Sequence, residues 1–191
     1  MQGALLGGVR GALRRHAACA AERQREQRWQ DRFKCQVLLD QAAVLAAMAY
    51  VDLNPVRVKL CDTQEAAKHT SARKRLDEIA QTPALAEAKL APIAGQRGRC
   101  VFALAQIEYL QMVDYTGRQI RADKRGAIAG PPPAILKHLG YSPDNWTRQV
   151  LAIRSDFSRA VGAVEMLAEK AAAIGQFWLR GIATARRLAT A

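Results

Sequence analysis

The sequence is poor in the residues that build the commoner reactive centres. Its four cysteines, Cys19, Cys35, Cys61 and Cys100, lie far apart with no C-x-x-C pair and no paired histidines nearby. That spacing excludes a readable zinc site or disulfide framework and fits a reducing cytoplasm. Three histidines, His16, His69 and His138, are isolated from one another, and H-E-x-x-H, G-x-S-x-G and a glycine-rich phosphate loop before a helix are all missing. No apolar run approaches the roughly 20 residues of a membrane span, so a membrane partner is not expected. The acid-free opening "MQGALLGGVRGALRRHAACAA" has some features of a transit peptide, but glycines break its short apolar run. It reads instead as the unusual N-terminus of a cytoplasmic protein. Alternating strand patterns and internal repeats are absent too, which leaves helices as the main building material.

Acidic residues are also scarce. Lys and Arg number 29 against 17 Asp and Glu, giving a formal charge of +12 and a pI near 10.1. Such a field attracts polyanions, and nucleic acid is the foremost candidate, although a base composition that favours Arg and Ala codons would raise the charge as well. The basic side chains concentrate between Arg10 and Lys34, which includes Arg32 and Lys34, and between Arg118 and Arg125, which includes Arg121 and Lys124.

What is present is a succession of helix signals. Asp40 is a plausible N-cap for a helix over residues 41–53, with Val44, Met48 and Val51 as its buried stripe and Pro55 as its stop. "TSARKRLDEIA" predicts a charged surface helix from Thr70 to about Ala80, with Lys74 four residues before Glu78. Residues 82–100 are rich in Pro, Gly and Ala and read as a linker or long loop. Ile107, Leu110, Met112 and Val113 predict a helix of two to three turns that breaks at Gly117. Another helix starts after the prolines at 131–133 and ends at Gly140, and Ser142-Pro143 opens the next. Val150, Ile153, Phe157, Val161, Val164 and Leu167 then recur at helical spacing as a core stripe.

One local constellation carries chemistry: Tyr50, Asp52, Asn54 and Arg57, at and just past a helix C-terminus in "AYVDLNPVR". A positioned tyrosine can attack a phosphodiester when an electrophilic partner stabilises the developing charge. The plainer reading is a tyrosine packed in a core or interface with its hydroxyl satisfied, and an asparagine that ends a helix before proline.

"AYVDLNPVR", preceded by "DRFKCQVLLDQAAVLAAM", resembles the tyrosine helix of the single-tyrosine HUH transposases, in particular the REP-associated tyrosine transposases. "YLQMVDYTGRQIRADKRGAI" is similar to the C-terminal extension of one branch of that family. The resemblance implies that Tyr50 corresponds to the nucleophile that joins a DNA strand end at a single-stranded, hairpin-forming site. It also implies a ferredoxin-like sheet beside the helix, with a His-hydrophobic-His motif that binds Mg²⁺ or Mn²⁺.

The chain departs from that pattern, because it has no His-x-His and too little sequence before Tyr50 to form the sheet. The expectation is therefore a mainly α remnant of an α/β transposase, N-terminally truncated and catalytically incomplete, with no metal ligands and no cofactor of its own. Its parts would be an atypical basic segment at 1–32, the catalytic remnant at 33–81, the linker at 82–100 and a helical extension at 101–191. DNA, single-stranded or hairpin, is the expected partner, and a homo-oligomer is compatible with the sequence. Tyr50 is the catalytic candidate, and Arg32, Lys34, Asn54, Arg57, Arg118, Arg121, Lys124 and Arg125 are the DNA-binding candidates. A non-catalytic DNA-binding or protein-interaction module is the alternative. With the sheet missing, the Val44, Met48 and Val51 stripe is expected to lie uncovered, and residues 1–60 to be less stable than 101–180.

Overall fold

The computed structural model describes residues 35–62, 66–90, 104–120 and 131–189. Contacts set Gln36–Ala191 apart as one compact unit, and every helix among the described residues belongs to it. The fold is mainly helical.

Helix α1, Gln41–Asp52, begins where expected. The Asp40 carboxylate accepts the Ala43 N–H at 2.7 Å, satisfying one of the donors that every helix N-terminus leaves unpaired. The same carboxylate accepts the Ala163 N–H at 2.6 Å, so one side chain ties the helix start to a segment far along the chain. Just before it, β1, Val37–Leu38, pairs in parallel with β2, Ala160–Val161. Gly162 allows this approach, because a Cβ there would come within 2.9 Å of both Asp40 and Leu39.

The buried face of α1 differs from the expected stripe. Ala43, Leu45, Ala46 and Ala49 are buried along with Val44, whereas Met48 is half-buried and Val51 is 66% exposed. The alanines explain the shift. Small side chains let the backbone approach its neighbours closely, and α1 packs against α4, Gln106–Ile120, and most extensively against α6, Pro143–Ser155. The helix therefore buries its alanine-rich face inside the helical core.

After α1 the chain turns directly into the four-residue α2, Asn54–Arg57. Leu53 serves as the C-cap of one and the N-cap of the other, and Pro55 lies in the first turn, where no N–H is needed. Helix α3, Ser71–Gln81, is capped by Thr70, whose hydroxyl accepts the Arg73 N–H, and carries the Lys74 to Glu78 ion pair at 3.7 Å. In the stretch expected as a linker, a 3₁₀ turn occupies Pro83–Glu87. The described parts on either side of residues 91–103 are joined by the Leu90 N–H to Leu104 carbonyl bond, 3.0 Å.

Helix α4 runs through Gly117 instead of breaking there. A Cβ at Gly117 would reach to 3.0 Å from Leu53 Cδ2, so the glycine allows α4 to sit against the α1–α2 corner. The fully buried Trp146 of α6 donates from Nε1 to Thr116 Oγ1 of α4 at 2.9 Å, locking these two helices in register. Between them in sequence, α5, Ala134–His138, ends before Gly140, whose φ is +74°. Ser142 caps α6 with Pro143 in its first turn, as the sequence predicts. The long stripe from Val150 to Leu167 is buried apart from the half-buried Val164, but it is not one helix. It crosses the end of α6, strand β2 and the start of α7, Val164–Ala173, and α8, Ile182–Ala189, closes the fold.

Candidate functional site

The α1–α2 corner brings Tyr50, Asn54 and Arg57 together. Arg57 Nη2 donates to Tyr50 Oη at 2.7 Å and to Asn54 Oδ1 at 2.7 Å. Its guanidinium carbon lies 4.6 Å from the centroid of the Tyr50 ring, within cation–π range. Asn54 thus orients the arginine, and the arginine places positive charge on the phenol oxygen. Arg57 Nε is buried with no hydrogen-bond partner of its own.

Asp52, the remaining member of the sequence constellation, turns away. It is 1% exposed and accepts from the Ser71 N–H at 2.9 Å, from Ser71 Oγ at 2.8 Å and from Tyr109 Oη at 2.6 Å. These bonds tie the end of α1 to the start of α3 and the first turn of α4. Burial, reinforced by the Asp52 charge, pushes the Tyr109 hydroxyl far above the ordinary tyrosine value, so it stays protonated and donates. Sequence reasoning missed this knot, because nothing local marks a carboxylate whose partners are 19 and 57 residues away.

Of the other expected DNA contacts, Arg118 sits in the last turn of α4 and is paired with Asp114, one turn earlier. Arg32, Lys34, Arg121, Lys124 and Arg125 lie outside the described residues. The side of α1 that carries Val44, Met48 and Val51 lines an open groove of about 610 Å³, with Asn54 and His69 also on its wall.

The donors at this corner do not fit the divalent cation that the family resemblance implies. Asp52 has committed both oxygens to Ser71 and Tyr109, and a guanidinium already faces the phenol oxygen. Among the described residues no group of three His, Cys, Asp or Glu side chains could hold an ion. A nucleophilic Tyr50 would also need a group to take its proton, and its partner Arg57 can only donate. The corner can therefore hold an anion's oxygen beside a phenol, but it lacks a proton acceptor for that phenol.

Comparison of the chain with family models, with curated proteins and with solved structures gives no match. No helix among the described residues is long and apolar enough to cross a membrane.

Proposed function

We propose that this chain is a DNA-binding relative of the single-tyrosine transposases, one that offers the α1–α2 corner to a DNA phosphate but does not by itself join strands. The observation that carries the reading is the Tyr50, Asn54 and Arg57 cluster: an oriented guanidinium and a phenol on one surface of a protein with formal charge +12. Arginine binds phosphate through its planar fork, and contacts of this kind position a protein on DNA without reading sequence. The DNA would be single-stranded or hairpin-forming. A reducing, cytoplasmic setting belongs to the same reading, since Cys35 and Cys61 carry free thiols.

The test is a binding titration of the full chain with a hairpin-forming single strand at low and at moderate salt, with a parallel search for a covalent adduct in Mg²⁺ or Mn²⁺. Binding that weakens at least tenfold between about 50 and 200 mM salt, with no adduct, is the expected result. An adduct that Tyr50→Phe abolishes would overturn the non-catalytic half of the reading. Absence of DNA binding would overturn the rest. If light scattering then showed self-association sensitive to changes at the exposed Val51 and Leu60, the protein-interaction alternative would stand in its place.

A further inference from the structure

A second surface, on the turn between α7 and α8, carries two aromatic side chains turned outward. The segment "IGQFWLRG" leaves α7 through a Schellman arrangement, in which Gly175 at φ +67° donates to the Ala172 carbonyl at 3.0 Å and Gln176 to the Ala171 carbonyl at 2.9 Å. Its other end is equally fixed. Leu179 is buried, and Gly181 has φ +114°, where a Cβ would sit 2.3 Å from a carbon of the Phe157 ring. Because Leu179 takes the core position, Phe177 and Trp178 are held facing solvent, the first fully exposed and the second 58% exposed. Beside the Phe177 ring the small residues Ala168, Ala172 and Gly175 leave an open slot of about 370 Å³, with Gln176 on its wall.

One cation, Arg180, follows this pair by two residues along the chain and leads to others. Arg180 donates from Nη2 to the Ser155 carbonyl at 2.6 Å, which lays the side chain towards the end of α6. Ser155 lines an open groove of about 300 Å³, together with Arg148 and Arg187. The carboxylate on that groove wall, Asp156, accepts from Ser155 Oγ at 2.7 Å and Thr184 Oγ1 at 3.1 Å and lies within electrostatic reach of Arg187 and Arg180. Arg187 Nη2 also donates to Thr184 Oγ1 at 3.2 Å, and the arginines keep a net positive charge over the single acid. Flat apolar faces beside a basic track are the two elements with which proteins hold single-stranded nucleic acid: bases stack on the rings while phosphates follow the cations.

We propose that Phe177 and Trp178 form a base-stacking platform for single-stranded nucleic acid, with Arg180, Arg148 and Arg187 meeting the adjacent phosphates. This deepens the DNA-binding reading and rests on it. A duplex, whose bases are already stacked, gains little from such a platform, so the surface discriminates single strands from double strands without reading sequence.

The experiment compares the full chain with its Phe177→Ala/Trp178→Ala variant in binding an oligothymidylate of about 20 nucleotides and a duplex of equal length. Both ring positions are exposed, so an unchanged melting temperature confirms that the variant is folded. The expected result is a loss of about tenfold or more in single-strand affinity, with duplex affinity and the salt slope nearly unchanged. Trp178→Phe keeps a stacking face and should retain affinity while its oligonucleotide-induced quenching falls below that of the parent, since the other two tryptophans, Trp29 and Trp146, are common to both proteins. Equal single-strand binding by the double variant and the parent would overturn the platform and leave the DNA-binding reading intact. A parent that binds neither oligonucleotide would overturn both. Ring-dependent binding to lipid vesicles or ring-dependent self-association, with DNA affinity unaltered, would assign the surface to a membrane or a second copy and overturn the platform as well.

Discussion

Tyr50 and Tyr109 are both hydrogen-bonded through their hydroxyls, and the charge that faces each is opposite. Tyr109 is fully buried and donates to the Asp52 carboxylate, whereas Tyr50 is half-buried and accepts from the Arg57 guanidinium. Helix α1 supplies both environments. Residues 50 and 52 are separated by about 200° around the helix axis, so one faces the interior and the other the corner with α2. A carboxylate fixes a phenol as a donor and makes it a structural strut. A guanidinium leaves the phenol oxygen beside an unspent positive charge, where an anion can join. Neighbouring positions on one helix thus separate holding the fold from meeting a ligand.

The largest effect expected from breaking this contrast lies on the buried side. Asp52→Ala would leave the Tyr109 hydroxyl and both Ser71 donors without their acceptor. Hydrogen bonds to a charged group contribute about 1.5–3 kcal/mol each, so the loss should reach about 3–5 kcal/mol and be visible as a fall in the urea midpoint. Tyr109→Phe removes one donor and keeps the ring, and should cost about 1.5–3 kcal/mol. A cost below about 0.5 kcal/mol for Asp52→Ala would mean that the knot does not bind α1, α3 and α4 together.

Amide exchange sharpens the same contrast along α1. Leu45, Ala46 and Ala49 are fully buried, so the amides of α1 should exchange as slowly as those of α6, against which it packs. The opposite expectation followed from taking Val44, Met48 and Val51 as the inward stripe. Fast exchange throughout α1 beside a slow α6 would restore that earlier picture of a helix without its partner.

Alkaline pH should loosen the fold through its buried phenols. Burial raises Tyr109 well above the ordinary value, and burial with the nearby Asp40 charge raises Tyr141 to about 12 from 10.0. A group whose folded pKa is raised contributes stability that is intact below its unfolded value. For these tyrosines that stability is present below pH 10 and is lost as pH climbs through 10 towards 12 and beyond. Melting temperatures should therefore fall over that interval, and less steeply in Tyr109→Phe once its lower starting stability is subtracted. A profile flat from pH 9 to 11.5 would contradict the assignment.

Much of the fold was legible because its signals are local. Asp40, Thr70 and Ser142 each mark a helix start through a side chain that must find N–H groups within three residues, and each does. The inward face of α1 was misread because hydrophobic weight favours Val and Met over Ala. In this helix close approach decides, and Ala permits it. Gly117 was misread for a related reason, since a glycine that allows Leu53 to approach looks the same in sequence as one that ends a helix. Strands of two residues are too short to show alternation, so β1 and β2 left no pattern. At the site, Tyr50, Asn54 and Arg57 were readable as a cluster because seven residues of helical chain bring them together. The fate of Asp52 and the outward display of Phe177 and Trp178 were not, since both depend on which distant residues already fill the core.

The smallest expected effect tests the corner. Tyr50→Phe deletes an acceptor that is half exposed, and Arg57 keeps Asn54 Oδ1 as a partner, with water able to replace the phenol oxygen. Stability should change by less than about 1 kcal/mol, well below the cost of Tyr109→Phe. If the corner binds phosphate through Arg57, affinity for a hairpin-forming strand should stay within about twofold in Tyr50→Phe. In Arg57→Ala it should fall about fivefold or more, with a shallower salt dependence, because one cation–phosphate contact is lost. Asn54→Ala should lie between the two, since it releases the arginine without removing its charge. This ordering follows from geometry: the guanidinium meets the anion, the asparagine aims it and the phenol accepts from it. Anisotropy titrations at two salt concentrations decide the matter. A Tyr50→Phe loss as large as that of Arg57→Ala would show that the hydroxyl itself contacts the DNA, and would move Tyr50 from a neighbour of the bound phosphate to a direct ligand.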